Sequence, residues 1–268
     1  MTRVIVHAGF HKTGTTSLQD FLYRNRAALK PFLSYYGKSD FLAAGAHARI
    51  YAQRPFPWRL WRFRRAFRAF LSGIEADGTI VLSRETFSGG MPGHRQLGGK
   101  LMMSYGRAAR PLSRVIVSEL RRRFGPETDI TFFYTVRARE PWIKSVYGHL
   151  LRSIRITADF DTFRARFPDL PGPQVEAKAM ARYLAPIPVV IATLEDYATE
   201  AEGPAKAVLD LLDVPRTVRS NLIPARRANT RNSAELLAGF LEINRSDLPK
   251  SRLKASKDHL IDQARNGA

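Results

Sequence analysis

The sequence predicts an α/β fold: a three-layer domain with a mainly parallel central sheet flanked by helices. Three observations lead there. Short apolar runs alternate with amphipathic stretches along the chain, which is the pattern of buried strands each followed by a covering helix. The first apolar run passes directly into a glycine-containing loop and then a helix. At 268 residues, with 44% hydrophobic content, the chain is long enough for one large domain with a substantial core. With no repeat and no low-complexity linker, residues 1–268 read as a single domain.

Val4–His7 reads as the first strand, and Thr16–Leu29 as a helix because Leu18, Phe21, Leu22 and Leu29 fall near helical spacing. Thr79–Ser83 follows Asp77-Gly78 as a second strand. Leu112–Phe124 is helical and stops at Gly125-Pro126. Ile130–Val136 is the third strand, and the next helix opens at Glu140-Pro141, where proline suits the first helical position. Residues 153–173, with Pro168, Pro171, Gly172 and Pro173, read as a long irregular insertion. Val189–Ala192 is the fourth strand, followed by a helix near Pro204–Leu212. Ser233–Asn244 is a last helix, and the basic tail beyond it reads as partly frayed.

Composition narrows the function. The absence of cysteine removes disulfides, thiolate metal sites and cysteine nucleophiles. The opening apolar run ends too soon for a signal peptide, and no stretch approaches the roughly 20 apolar residues of a membrane span. The expectation is a soluble, cytoplasmic protein. Its 43 basic and 24 acidic residues give a formal charge of +19, a field that attracts polyanions. Nucleic acid, anionic lipid, acidic glycans and highly charged nucleotides all fit that field. Charge alone does not choose among them.

The chemistry is concentrated in three places. Gly9-Phe10-His11-Lys12-Thr13-Gly14-Thr15-Thr16-Ser17 joins a strand to a helix N-terminus, where converging backbone N–H groups and the helix dipole trap an anion. A nucleotide-hydrolysing loop reads G-x-x-x-x-G-K-[ST]; here the glycine spacing is kept, but Lys12 lies inside the loop and threonines follow Gly14. Lysine places a mobile charge where phosphate oxygens would lie, and Thr13, Thr15, Thr16 and Ser17 add hydroxyls; a plain helix cap is the bland alternative. The second place is residues 132–147, where Arg137 ends a strand and Ser145 falls eight residues later, one turn inside the next helix. Carboxyl ends of parallel strands are where open α/β sheets bind ligands, and the pair can converge on one phosphate. The third is Glu85, at the carboxyl end of the second strand. It is a candidate general base, or a structural partner of Arg84.

These motifs resemble those of the sulfotransferase family, which uses 3′-phosphoadenosine-5′-phosphosulfate (PAPS), in its bacterial, glycan-modifying form with a P-loop-like fold. The resemblance covers most of the chain, with Ala192-Thr193-Leu194-Glu195-Asp196-Tyr197 and the helix ending Leu211-Leu212-Asp213-Val214 as weaker landmarks. It implies that the loop, His11 to Ser17, binds the 5′-phosphosulfate with Lys12 on the bridging oxygen. It further implies that Arg137 and Ser145 grip the 3′-phosphate, and that Glu85 takes the acceptor proton, with His11 and His47 as fallback bases. A basic loop over the cofactor is expected at Arg226, Arg227 and Arg231, although the family's Arg-Lys-Gly and Gly-Asp-Trp are missing there. No metal-binding pattern is visible, in keeping with sulfuryl transfer.

Residues 54–71 interleave six arginines with six aromatics, and from Trp58 read as an amphipathic helix. It is either a core-packed helix with solvated arginines or a surface for an acidic acceptor or an anionic membrane. The acceptor implied is a hydroxyl-bearing molecule, a carbohydrate or glycolipid. The competing readings are a nucleotide-dependent kinase and a non-catalytic nucleic-acid binder. The first misplaces the lysine, and the second leaves Lys12, Arg137 and Ser145 without a role; no nucleic-acid partner is expected. Adenine-stacking residues and oligomeric state are not legible.

Overall fold

The structure is a computed structural model, and it describes residues 2–75, 78–226 and 234–266. In chain order the elements are β1 (Arg3–His7), α1 (Thr15–Arg24), α2 (Arg26–Leu29), β2 (Ser34–Tyr36), α3 (Leu42–Gln53), α4 (Pro57–Ser72), β3 (Thr79–Ser83), α5 (Gly106–Phe124) and β4 (Asp129–Val136). There follow α6 (Arg139–Ser153), α7 (Phe160–Ala165), α8 (Pro173–Leu184), β5 (Val189–Thr193), α9 (Lys206–Leu211), α10 (Arg216–Arg219), α11 (Ala234–Arg245) and α12 (Lys250–Asn266). The chain divides into two compact units, residues 1–139 with 171–228, and residues 140–170 with 229–268.

The first unit is the α/β body. Its five strands are all parallel in the order β2-β3-β1-β4-β5, so every strand ends on the same edge of the sheet. β1 sits in the centre, with His7 level with Ser83 of β3 and Phe133 of β4. The chain leaves β1 towards β3 and crosses back to β4, so the loops after β1 and β4 part at this point, where open sheets hold ligands. Val4, Ile5 and Val6 are fully buried, as a central strand covered on both faces requires. Beneath one face lie Leu18, Phe21 and Leu22 of α1 with Ala205, Val208 and Leu209.

Several elements differ from the sequence reading. The helix expected over Thr16–Leu29 is two, α1 and α2, parted at Asn25. That side chain is buried and donates from Nδ2 to the carbonyls of Phe21 (3.0 Å) and Ile223 (2.9 Å), while its Oδ1 accepts from the Ile223 N–H (2.8 Å). A distant backbone segment thus claims the residue where α1 turns. Helix α5 begins six residues before the expected Leu112, and Pro111 lies within it. The helix near Pro204–Leu212 is a 3-10 turn at Gly203–Ala205 followed by α9. β2, α3 and α8 were not expected at all.

The second unit is helical. Within the span read as an irregular insertion, Asp159 caps α7 by accepting from the Thr162 N–H at 2.9 Å. Tyr147 lies against the rings of Phe160 (5.5 Å) and Phe163 (5.1 Å). Within the basic tail the described residues form α12, fastened by Lys257, 3% exposed, which donates to the carbonyls of Leu151 (2.7 Å) and Ile154 (3.1 Å) at the end of α6. Burial, with Arg155 adding to it, pushes the Lys257 ammonium below its ordinary range; the negative end of the α6 dipole offsets that cost.

Asn25 is tested by substitution. Asn25→Ala removes three hydrogen bonds, to the Phe21 carbonyl and to the Ile223 N–H and C=O, at about 0.5–1.5 kcal/mol each. Urea denaturation is expected to show a loss of at least about 2 kcal/mol.

Candidate functional site

The loop after β1 is built from below. His7, with no exposed surface, has Nδ1 2.7 Å from the Ser83 hydroxyl on β3 and Nε2 3.3 Å from the Thr135 hydroxyl on β4. Thr135 in turn lies 3.0 Å from the Thr13 hydroxyl, which donates to the Phe10 carbonyl at 2.7 Å. Ser88 donates to the Ala8 carbonyl, and the Arg84 N–H donates to the His7 carbonyl at 3.0 Å. Phe10 is wedged between Tyr105 (4.5 Å) and Tyr134 (5.1 Å). Gly9 is required by contact: a Cβ there would lie 2.5 Å from His7 Nε2 and 2.7 Å from Thr15 Cγ2.

So held, the loop reaches two left-handed residues, Lys12 at φ 70° and Gly14 at φ 88°. Glycine adopts this conformation at no cost, whereas lysine loses about 1–2 kcal/mol. A strained non-glycine residue at a loop crest is a mark of functional sites. Gly14 is also the N-cap of α1 and offers no side-chain acceptor. The first intrahelical bond runs from Leu18 N–H to the Gly14 carbonyl, so the N–H groups of Thr15, Thr16 and Ser17 have no intrahelical partner. This is the arrangement that suits an anion.

The hydroxyls divide into two sets. Thr13 is turned into the sheet as described, and Thr15 donates to Glu85 Oε1 at 2.8 Å. Both therefore face protein groups, and their contribution to an anion is through backbone N–H. Thr16 is exposed, and Ser17 donates to the Arg226 carbonyl at 3.2 Å. That contact ends a strap, residues 223–226, which runs back along α1 from Asn25. On the way Arg24 donates to the Pro224 carbonyl (2.7 Å), and the Ala225 N–H donates to the Ala201 carbonyl (2.7 Å). The strap delivers residue 226 to the loop. Arg227 and Arg231, expected to close over the cofactor, lie outside the described residues.

Glu85 opens a 3-10 turn two residues past β3 and is partly exposed on the same rim as Lys12. Burial alone would raise its carboxyl, but His11, the residue's own backbone N–H, Thr15 and His7 outweigh that and leave it below the ordinary carboxylate range. It is ionised at neutral pH. Arg84, the structural partner that sequence allowed, faces elsewhere: its guanidinium donates to the Lys38 carbonyl (2.6 Å) and Thr86 (3.0 Å) and crosses α3 at Gly45. A Cβ on Gly45 would lie 1.7 Å from Arg84 Nε.

His11 has its Nδ1 enclosed. Burial lowers it to about 4, against an opposing pull from Glu85 and with His94 and Lys12 pushing the same way. It is neutral at neutral pH. His47, the other fallback base, sits within α3; burial lowers it, and its charged neighbours are Arg62 and Arg59 of α4.

Arg137 lies just past the end of β4, on the same edge of the sheet as the loop. Its Nε is 3.5 Å from Glu195 Oε1, beyond β5. Any phosphate taken by Arg137 would meet that carboxylate first. Ser145 is half-buried on α6, in the second unit. The structure therefore gathers the His11–Ser17 loop, Glu85 and Arg137 on one rim. Sequence missed the network of His7, Ser83 and Thr135 beneath it and the strap tied by Asn25. The network's signal was a polar residue, His7, Ser83 or Thr135, at or next to the end of each of three apolar strands; the strap left no such mark. Among the described residues no three His, Asp or Glu side chains gather as a metal site, and no helix is long and apolar enough to cross a membrane.

No protein-family model matches the chain, and no curated protein matches it in sequence.

Two results are expected. Burial lowers His7 to about 4, with Glu85 opposing, against about 6.5 when unfolded. Between those pH values the unfolded chain binds a proton that His7 refuses in the fold, so stability falls with falling pH; His7 contributes about 3 kcal/mol of that fall and His11, lowered likewise, adds to it. Thermal melts from pH 7 to 4 check this, and His7→Gln should flatten the slope by about one proton. The second concerns Lys12. Lys12→Gly removes the charge and the left-handed strain together, so stability stays within about 1 kcal/mol of the parent, while anion affinity at the loop falls at least about tenfold.

Proposed function

We propose that the chain is a sulfotransferase that moves a sulfuryl group from PAPS to an acceptor hydroxyl, on a carbohydrate or glycolipid. One observation carries this reading: an ionised Glu85, tied by Thr15 to the N-terminus of α1, stands beside an uncapped anion loop whose crest is a left-handed lysine. The loop offers fixed N–H donors and a lysine to a phosphosulfate, and the neighbouring carboxylate is already in its proton-accepting form. Arg137, at the end of the neighbouring strand β4, supplies a second cationic position on the same rim.

The reaction is an in-line displacement. The acceptor oxygen forms a bond to sulfur as the bond from sulfur to the bridging phosphate oxygen breaks. Lys12 and the α1 N–H groups stabilise the charge that develops on the departing 3′,5′-ADP, and the acceptor proton passes to Glu85. Positioning supplies much of the acceleration. A carboxylate with a lowered pKa is a weak base at rest, but the acceptor hydroxyl grows acidic as its oxygen bonds to sulfur. Because Glu85 stays ionised below the ordinary glutamate value of about 4.3, the acid limb of the pH–rate profile should fall below that point.

Isothermal titration without magnesium tests the cofactor. Micromolar affinity for 3′,5′-ADP, at least about tenfold weaker for 5′-AMP and weakened in Arg137→Ala, is expected. Preference for ATP with magnesium would overturn the reading in favour of phosphoryl transfer, and no selectivity at all would favour the basic surface as the function. With an acceptor in hand, Glu85→Gln should lower kcat at least about 100-fold. Full activity in that variant would remove Glu85 as the base.

A further inference from the structure

Helix α4 has two opposed faces. At about 100° per residue, Phe63, Phe67 and Leu71 form one stripe, and all three are fully buried. On the reverse stripe stand Trp58, Trp61, Arg62 and Arg65, spaced i, i+3, i+4 and i+7. Trp58 is 53% and Trp61 57% exposed, and both arginines are exposed. A folded protein gains nothing by holding two tryptophans in water. Trp58 is stacked on Phe56 at 4.3 Å, with the rings 6° from parallel, and the Arg65 guanidinium lies 5.8 Å from the Trp61 ring. The rings are therefore held in place rather than loose. Leu97, 56% exposed, stands at the same end of the helix, because its N–H donates to the Gln53 carbonyl at 3.0 Å just before α4 begins.

The charge around this patch has one sign. From Phe41 to Ile74 there are seven arginines and no acidic residue, and from Thr86 to Ser118 five lysines or arginines and again no acidic residue. Glu119, buried behind α4, takes Arg68 (2.8 Å), Arg64 (3.6 Å) and Arg122 (2.9 Å). Those contacts fix the helix to α5 from one side. Arg54, Arg62, Arg65, Arg95 and Lys100 are left exposed, and none forms an ion pair with a described residue.

We propose that this face of α4, with Leu97, docks the protein on an anionic lipid surface. Tryptophan is the side chain that settles at the headgroup level of a bilayer. An in-plane helix with arginines flanking its apolar residues gains both insertion and attraction to anionic headgroups. The same cations would attract nucleic acid, but an exposed leucine has no use on a polynucleotide. The rings and arginines stand on the exposed face of one helix, whereas single strands are stacked in a basic groove. The proposal does not depend on the sulfuryl-transfer reading.

The test is co-sedimentation of the full chain with vesicles of phosphatidylcholine containing about 30% phosphatidylglycerol, with tryptophan emission recorded in parallel. Binding to these vesicles but not to pure phosphatidylcholine is expected, with a blue shift from Trp58 and Trp61; Trp142, fully buried, supplies a constant background. The Trp58→Ala/Trp61→Ala double variant should keep its melting temperature, since both rings are exposed, and lose at least about tenfold in partitioning. Arg62→Glu/Arg65→Glu should lose as much. Undiminished binding by the tryptophan variant would overturn the proposal, as would binding without a blue shift. So would tighter binding to a single-stranded oligonucleotide that the same variant abolishes.

Discussion

A neutral imidazole closed inside the sheet holds the carboxyl ends of β1, β3 and β4 to one another and to the loop above them. His7 touches Ser83 and Thr135, and Thr135 touches Thr13. An imidazole suits the place because its two ring nitrogens, one donor and one acceptor, satisfy two hydroxyls on opposite sides. Parallel strands have side chains but no tight turns to align their ends, so a polar tie at the rim sets where the loop starts. The positions of Gly9, Lys12 and Gly14 follow from that tie. Burial keeps His7 uncharged, and an uncharged base below the loop leaves its positive potential to Lys12 and the helix N-terminus.

The rim combines opposite charges at short range. Thr15 belongs to the helix that would hold an anion, yet its hydroxyl is given to the carboxylate of Glu85. One residue therefore separates the two polarities, presenting N–H to the anion side and O–H to the carboxylate side. Arg137 and Glu195 repeat the theme one strand away. A carboxylate at each cationic position keeps an empty site from being a bare cluster of positive charge in a molecule that carries +19.

Much of the fold was legible because parallel strands covered on both faces are plain apolar runs. β1, β3, β4 and β5 fall within a residue of their expected limits. β2 was not legible, since three half-buried residues, Ser34, Tyr35 and Tyr36, at the sheet edge carry no periodic signal. Helix α3 is dominated by alanine and has little contrast between its faces, and the Pro171–Pro173 cluster hid the start of α8. In α12 a buried lysine stands where an apolar residue would have announced a helix. In the site, Lys12, Glu85 and Arg137 were readable because each follows a strand, and parallel strands end together. The contacts that position them were not, because Thr15 and Glu85 are 70 residues apart and His7 and Thr135 are 128 apart. Pairings at such separations follow from three-dimensional register and leave no local pattern.

The bond between Asn25 and Ile223 spans 198 residues. A loop of that length closes late, because its entropy must be offset by contacts made first. During synthesis the first helix and its anion loop emerge long before the strap that lies along them. The loop, although its residues precede the strap by about 200 positions, gains this last support only when the strap lies down along α1. A nascent chain thus holds the loop's residues well before it holds the strap that completes their packing.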